Sequence, residues 1–238
     1  MIIPSYNNLK SLKDCIESIV KQTYTNYEVL VMDGGSKDGT IPFLKTLTNP
    51  FSFVSEIDKG IYDAMNKGIR LSKGDWLYFM GADDCFADEN LLKEVFSEPF
   101  LEEEVLLGNI KYTNKEKVFN SNFSCLLWLK NTIHHQSVFY KKSIFDQRVY
   151  NSGYKVLADY DLNLYLYKNK APYRKLNKLI AICGDDGVSK QYNWKLYKEE
   201  ITIKSSLTNN KLKIFFYLLG LTKYFFRRLF LKRNPLLR

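Results

Sequence analysis

Apolar residues in the first two thirds of the chain fall alternately into short unbroken runs and into runs at helical spacing. That alternation predicts strands interleaved with covering helices, an α/β fold on a mixed, mostly parallel sheet. Residues 1–4 read as the end of a strand. Leu9, Leu12, Ile16, Ile19 and Val20 then recur at i, i+3, i+4 and predict an amphipathic helix. A buried strand over 28–32 runs into Asp33-Gly34-Gly35-Ser36-Lys37-Asp38-Gly39-Thr40, a glycine-rich turn that launches a helix from Asp38 or Thr40, with Pro42 tolerated in its first turn. Residues 51–55 predict a third strand, Ile61, Met65 and Ile69 the next helix, and 76–80 a strand ending at Gly81-Ala82-Asp83-Asp84. Residues 105–110 are a further strand candidate. Neither an internal repeat nor a low-complexity linker divides this part of the chain.

The pattern changes from residue 211 onward. Large apolar residues, among them Ile214, Phe215, Phe216, Leu218, Phe225 and Phe226, are interspersed with Lys211, Lys213, Lys223, Arg227, Arg228, Lys232, Arg233 and Arg238. The apolar stretch over 214–221 is too short for the ~20 residues of a spanning helix. Basic residues at helical spacing beside Phe and Leu predict instead a basic amphipathic helix lying on an anionic membrane surface. A terminal helix packed on the body is the alternative. Of the 35 Lys+Arg that set against 26 Asp+Glu give a net charge of +9, these eight lie where there is no acid, so the residues before 211 are close to neutral. No basic aromatic groove is left for nucleic acid, and none is expected as a partner.

With 45% apolar and 15% aromatic residues, the chain can bury a full core, which excludes wholesale disorder. Cys15, Cys85, Cys125 and Cys183 are too far apart for a Cys-x-x-Cys metal knuckle; buried free thiols in a reducing, cytosolic setting are expected. The chain opens directly into a turn and a polar helix without a leader pattern, so export is not expected.

Ligands of open α/β sheets sit beyond the carboxyl ends of the strands. Four polar segments occupy such places in order: Pro4-Ser5-Tyr6-Asn7, Asp33 with its Gly-Gly-Ser turn, Glu56-Ile57-Asp58-Lys59-Gly60, and Asp83-Asp84. Singly, each is ordinary turn and cap chemistry. A carboxylate pair ending a buried apolar strand is unfavourable unless a divalent cation neutralises it, and hard oxygen ligands imply Mg²⁺ or Mn²⁺ with a diphosphate as the second partner.

Together with Asp58-Lys59-Gly60-Ile61-Tyr62-Asp63-Ala64-Met65-Asn66-Lys67-Gly68, this ordered series resembles the family 2 glycosyltransferases of GT-A fold, over about residues 1–190. The resemblance implies a donor-binding half over about 1–120, an acceptor and catalytic half over about 121–190, and a helical region over 191–238 ending in the basic tail. It implies that Pro4, Tyr6, Asn7 and Asp33 hold the base and ribose of a nucleoside-diphosphate-sugar, a UDP-sugar foremost. Asp58, Tyr62, Asp63, Asn66 and Lys67 would line the donor cleft, with Lys67 facing phosphate or sugar oxygens. Asp83 and Asp84 stand at the family's D-x-D metal motif, with Gly81 in place of its first acid. Asp83 would contact metal or ribose, Asp84 would assist or fix the loop, and metal binding would be weaker or water-mediated. The family usually has more apolar residues ahead of Ile3-Pro4, so the first strand is short or begins upstream.

On the acceptor side, Asp159-Tyr160-Asp161-Leu162 resembles the family's acidic catalytic motif, with Ala158 where a Glu often stands. By that likeness Asp159 is the base that takes the acceptor's hydroxyl proton, while Asp161 caps or braces the helix. His134-His135 invite a zinc reading, but neighbours on a strand face opposite ways and no further ligand is spaced to complete a site. By resemblance His135 and Gln136 touch the donor sugar or acceptor. Gly184-Asp185-Asp186-Gly187-Val188-Ser189 resembles a late family segment that closes over the diphosphate through backbone N–H groups and Ser189, with Asp185 and Asp186 as solvated loop acids. The implied activity is inverting, metal-assisted hexosyl or N-acetylhexosaminyl transfer to a glycan or lipid-linked glycan at the cytosolic face of a membrane, as in bacterial surface-polysaccharide assembly. A nucleotidyltransferase would need a basic, glycine-rich triphosphate loop near the N-terminus, which 4–10 is not. A catalytically degenerate relative is the remaining alternative, raised by Gly81 and Ala158.

Overall fold

The computed structural model describes residues 1–115, 117–184 and 193–233. Its first half alternates as the periodicity predicts, through β1 (Ile2–Ser5), α1 (Leu9–Val20), β2 (Val29–Asp33), α2 (Thr40–Leu44), β3 (Phe51–Ser55), α3 (Ile61–Leu71) and β4 (Trp76–Tyr78). Then come β5 (Cys85–Phe86), α4 (Leu91–Val95), β6 (Val105–Tyr112), β7 (Val118–Asn120), β8 (Val138–Lys141) and α5 (Ile144–Gln147). The remaining elements are α6 (Ala158–Lys168), β9 (Tyr173–Cys183), α7 (Trp194–Leu207) and α8 (Lys213–Arg233).

Strands β1, β2 and β3 pair in parallel, with Ser5 opposite Asp33 and Asp33 opposite Ser55. A parallel bridge from Ile2 to Phe79, where the Met80 N–H donates to the Ile2 carbonyl at 3.1 Å, carries the sheet on into β4. Beyond it the order is β4-β8-β6-β9-β5, with β7 on β6. Here only β6 and β9 run parallel; the other pairs are antiparallel. The parallel pairing read from the sequence thus belongs to the first half of the sheet.

Alternate side chains serve opposite faces, as the two-residue period of a strand demands. Ile2, Leu30 and Met32 pack with Met65 and Ile69 of α3, whereas Ile3, Val29 and Val31 pack with Leu12, Ile16 and Ile19 of α1. Val20, counted in the apolar stripe of α1, ends that helix and is 60% exposed. Cys15 and Cys183 are buried free thiols as expected, but Cys125 is exposed and Cys85 only partly covered.

The C-terminal helices are bonded into this body. Phe216 of α8 stacks on Trp128, and Tyr224 meets Trp194 and Tyr197 of α7. Lys223, expected on lipid headgroups, instead places its ammonium 2.5 Å from Glu200 and on the Leu129 carbonyl, because it lies on the inward face of α8. On the opposite face Ile214, Phe215, Leu218, Phe225, Phe226 and Leu229 stay exposed. Among the described residues no helix is long and apolar enough to cross a membrane.

Helix α3 lies so close to β1 that a Cβ on Gly68 would stand 2.5 Å from Ile2 Cγ2. Ile2 is β-branched, fully buried and unable to swing aside. Gly68→Ala is therefore expected to lower stability by about 2 kcal/mol, read as a fall of roughly 4–8 °C in Tm. Gly74→Ala, where the nearest atom would be 3.6 Å away, is the control that should stay near wild type. Equal Tm values for the two variants would disprove the close contact.

Candidate functional site

The parallel register brings the turns after β1, β2, β3 and β4 to one edge of the sheet. Asp33, 1% exposed, closes β2. Its Oδ2 accepts from the Gly35 and Ser36 N–H groups, both at 3.1 Å, and from the Ser55 hydroxyl at 2.6 Å. Its Oδ1 has no hydrogen-bond partner. Asn7, in the left-handed region at φ 48°, donates its N–H to Ser36 Oγ and accepts the Lys37 N–H on Oδ1, both at 2.8 Å. It locks the first loop onto the second. Between them Gly34 is a bare floor: a Cβ there would be 3.3 Å from both the Tyr6 ring and Asp58 Oδ2. Pro4 is buried in β1, whereas Tyr6 is 65% exposed.

Lys67 does not reach openly into this space. Its ammonium sits 2.6 Å from Asp58, 2.8 Å from Glu56 and 3.4 Å from Asp63. The bonds to Asp58 and Glu56 push its pKa above the usual lysine value, so the charge is fixed and largely spent on holding Asp58. Asp63 accepts the Lys59 N–H at 3.0 Å, and that bond followed by Lys67 holds it below the ordinary carboxylate range. Asn66, expected to line the donor cleft, is buried with its amide paired to the Tyr150 backbone, donating at 2.8 Å and accepting at 3.0 Å. It fastens α3 to the 150 segment. Tyr62 is also inside: its hydroxyl lies 2.6 Å from the Val156 carbonyl and 3.0 Å from Asp159 Oδ1.

In the acidic turn the two carboxylates divide their tasks. Asp83 is exposed; Asp84 is 3% exposed and accepts the Gly81 and Gly184 N–H groups, both at 3.1 Å. A Cβ at Gly81 would be 2.4 Å from Asp84 Oδ2, so the Asp84 carboxylate fills the space left by the absent side chain. Burial, and then the charge of Asp83, raise its pKa to about 6. Among the described residues no cluster of three or more His, Cys, Asp or Glu could hold a metal alone.

Asp159 stands in the first turn of α6, with its pKa raised by burial and partly restored by the Tyr62 hydroxyl and the Tyr160 N–H. Its neighbour Asp161 is 1% exposed and pairs with Arg148 at 2.7 Å, the brace that the sequence left open. His134 and His135 are not on a strand: 135–137 form a 3₁₀ turn entering β8. The His135 ring packs against Phe79 and Tyr150, both ring nitrogens lack partners, and burial lowers its pKa to about 4, which keeps it neutral. The backbone carbonyl of Gln136 accepts from the Tyr78 hydroxyl at 2.9 Å. His134 packs edge-on against the rings of Tyr112 and Phe119. Asp185, Asp186 and Ser189 lie outside the described residues.

The folded protein keeps a proton on Asp84 up to about pH 6, whereas the unfolded chain releases it near 3.8. The folded state binds more protons across that window, so stability falls as pH rises through it. In cation-free buffer, Asp84→Asn, which never ionises, should gain about 5 °C in Tm relative to wild type between pH 4 and pH 7. Parallel Tm curves for the two proteins would rule out a buried, raised Asp84.

Residues 1–162 match the family model described as Glycosyl transferase family 2. A "PGL/p-HBAD biosynthesis glycosyltransferase" of Mycobacterium bovis (strain BCG / Pasteur 1173P2) is 34% identical over 179 residues, covering 72% of this chain and 70% of that protein. Among solved structures, S. aureus TarS 1–349 in complex with UDP-GlcNAc superposes with a TM-score of 0.67 at 19% identity, covering 89% of this chain and 71% of that one. A mannosyltransferase from Pyrobaculum calidifontis, in complex with GDP-Man and Mn²⁺, gives 0.64 at 15% identity over 91% and 67%. This chain spans 43% of the longer TarS chain. The structural likenesses establish the fold, and the 1–162 match and the mycobacterial relative show the family: the chain belongs to glycosyltransferase family 2.

Proposed function

We propose that the protein transfers a sugar, with inversion, from a nucleoside-diphosphate-sugar to a hydroxyl of a glycan or lipid-linked glycan. UDP-sugars are the first donors to consider, because the TarS neighbour was solved with UDP-GlcNAc. The observation that carries the reading is the Tyr62 hydroxyl 3.0 Å from Asp159: it ties the proposed base to α3, the helix whose Asp63 and Lys67 wall the donor side. The acceptor hydroxyl gives its proton to Asp159 as its oxygen bonds to the anomeric carbon, and the bond from that carbon to the diphosphate oxygen breaks. A pKa raised by burial suits a carboxylate that must take a proton. Asp33 Oδ1, unpartnered, is the acceptor for a base N–H or a ribose hydroxyl. Tyr6, over the bare floor of Gly34, offers a face for the base.

Asp83, with Asp84 behind it, is a hard-oxygen pair that would hold Mg²⁺ or Mn²⁺. The exposed Asp83 carboxylate beside the buried Asp84 supports that fit. When bound, such a cation neutralises the departing diphosphate. The exposed apolar face of α8, flanked by Lys211 and Lys213, would lie on the anionic cytosolic surface of a membrane, where a lipid-linked acceptor is found.

Two experiments test these statements. Purified protein is given a panel of UDP-, GDP- and dTDP-sugars with Mg²⁺, Mn²⁺ or EDTA, and nucleoside diphosphate release is followed. One donor should be consumed in a cation-dependent way, with a loss of about 10²–10⁴-fold in Asp159→Asn; undiminished activity of that variant would remove Asp159 as the base. Separately, the protein should sediment with phosphatidylglycerol-containing vesicles but not with pure phosphatidylcholine. The double variant Phe225→Glu, Phe226→Glu should stay in the supernatant, and its full retention on vesicles would refute the α8 surface.

A further inference from the structure

We propose that Glu199 of α7 is a positioning residue for Asp159, gripping the segment that opens α6 and thereby fixing where the base stands. The inference rests on the reading of Asp159 as the base. Helix α6 begins without a side-chain cap from its own Leu157. The role is taken from across the fold: Glu199 Oε1 accepts the Lys155 N–H at 2.7 Å, and Oε2 accepts those of Val156 at 3.1 Å and Leu157 at 3.2 Å. Three successive backbone donors converging on one carboxylate at the positive end of a helix form a well-matched anion nest.

The other side of the same segment is held by α3. Tyr62 donates to the Val156 carbonyl at 2.6 Å, so Val156 is fixed at its N–H by α7 and at its carbonyl by α3. Asp159 follows three residues later. The helix that supplies Glu199 is itself secured, since Lys204 and Lys223 both reach Glu200 and the Leu129 carbonyl. Tyr160, next to the base, donates to Leu127 at 2.5 Å in the same turn. The donor wall belongs to other elements, β1 to β4 and α3. Loosening the grip should therefore displace the base and leave nucleotide binding alone. A displacement of about 1 Å at such a group costs on the order of 10²-fold in rate.

The test compares full-length wild type, Glu199→Ala, Glu199→Gln and Asp159→Asn. Each is assayed with the nucleotide-sugar that wild type consumes fastest in the panel, with UDP binding read by thermal shift and backbone exchange over 155–161 by mass spectrometry. Glu199→Ala should lose about 10²-fold in kcat, with donor KM and UDP binding within about twofold of wild type. Glu199→Gln, which keeps one carbonyl acceptor, should fall between. Exchange over 155–161 should quicken in both. Wild-type kcat in a folded Glu199→Ala, an equal loss of UDP binding, or unchanged exchange would each overturn the proposal, and the exchange result decides it even if every donor is refused. An active Asp159→Asn removes the base reading itself; an inactive one beside a fully active Glu199→Ala removes only the role of Glu199.

Discussion

Parallel pairing of three short strands in one register, with Ser5, Asp33 and Ser55 side by side, is the constraint on which the site depends. Because the strands run the same way, their polar ends open onto one edge, and Ser55 of β3 can reach Asp33 of β2. The single bridge between Ile2 and Phe79 extends that edge to the acidic turn after β4. Ile2 does double duty here. The same residue receives Gly68, and this close approach sets the depth at which α3 carries Tyr62, Asp63 and Lys67 toward the strand ends.

Electrostatically, the lysine that α3 brings to this edge is already engaged. Lys67 is shared among Glu56, Asp58 and Asp63, and the acidic turn adds Asp83 and Asp84. The proposed donor would bring its diphosphate to these acids, and a divalent cation of the proposed kind would neutralise both. Burial, and only then the charge of Asp83, raises the pKa of Asp84. Gly81 contributes by its lack of a side chain: the Asp84 carboxylate folds back over it and takes backbone hydrogen bonds, leaving Asp83 as the exposed acid.

Local pattern made much of this legible. The buried runs over 28–32 and 51–55 and the stripe of Ile61, Met65 and Ile69 became β2, β3 and α3, since burial on one face or both leaves a period that a sequence records. Strand direction leaves no such mark, and the largely antiparallel second half of the sheet was not visible. The strand-end acids could be found because their place follows from the elements before them. What side chains do with their polar atoms could not. Lys67 and Asn66 had the right position for a ligand, yet three carboxylates claim the one and the Tyr150 backbone the other. Glu199 gave no local signal, because its partners lie more than forty positions upstream.

The bonds from α7 into the start of α6 bear on how such enzymes diversify. The family match ends at residue 162, yet the carboxylate gripping residues 155–157 is at 199. A recombination event that exchanged everything after the matched region would import foreign C-terminal helices and discard that grip in the same stroke. Grafts between relatives should succeed most readily when the crossover falls before residue 155, so that α6 and α7 travel as one inherited unit.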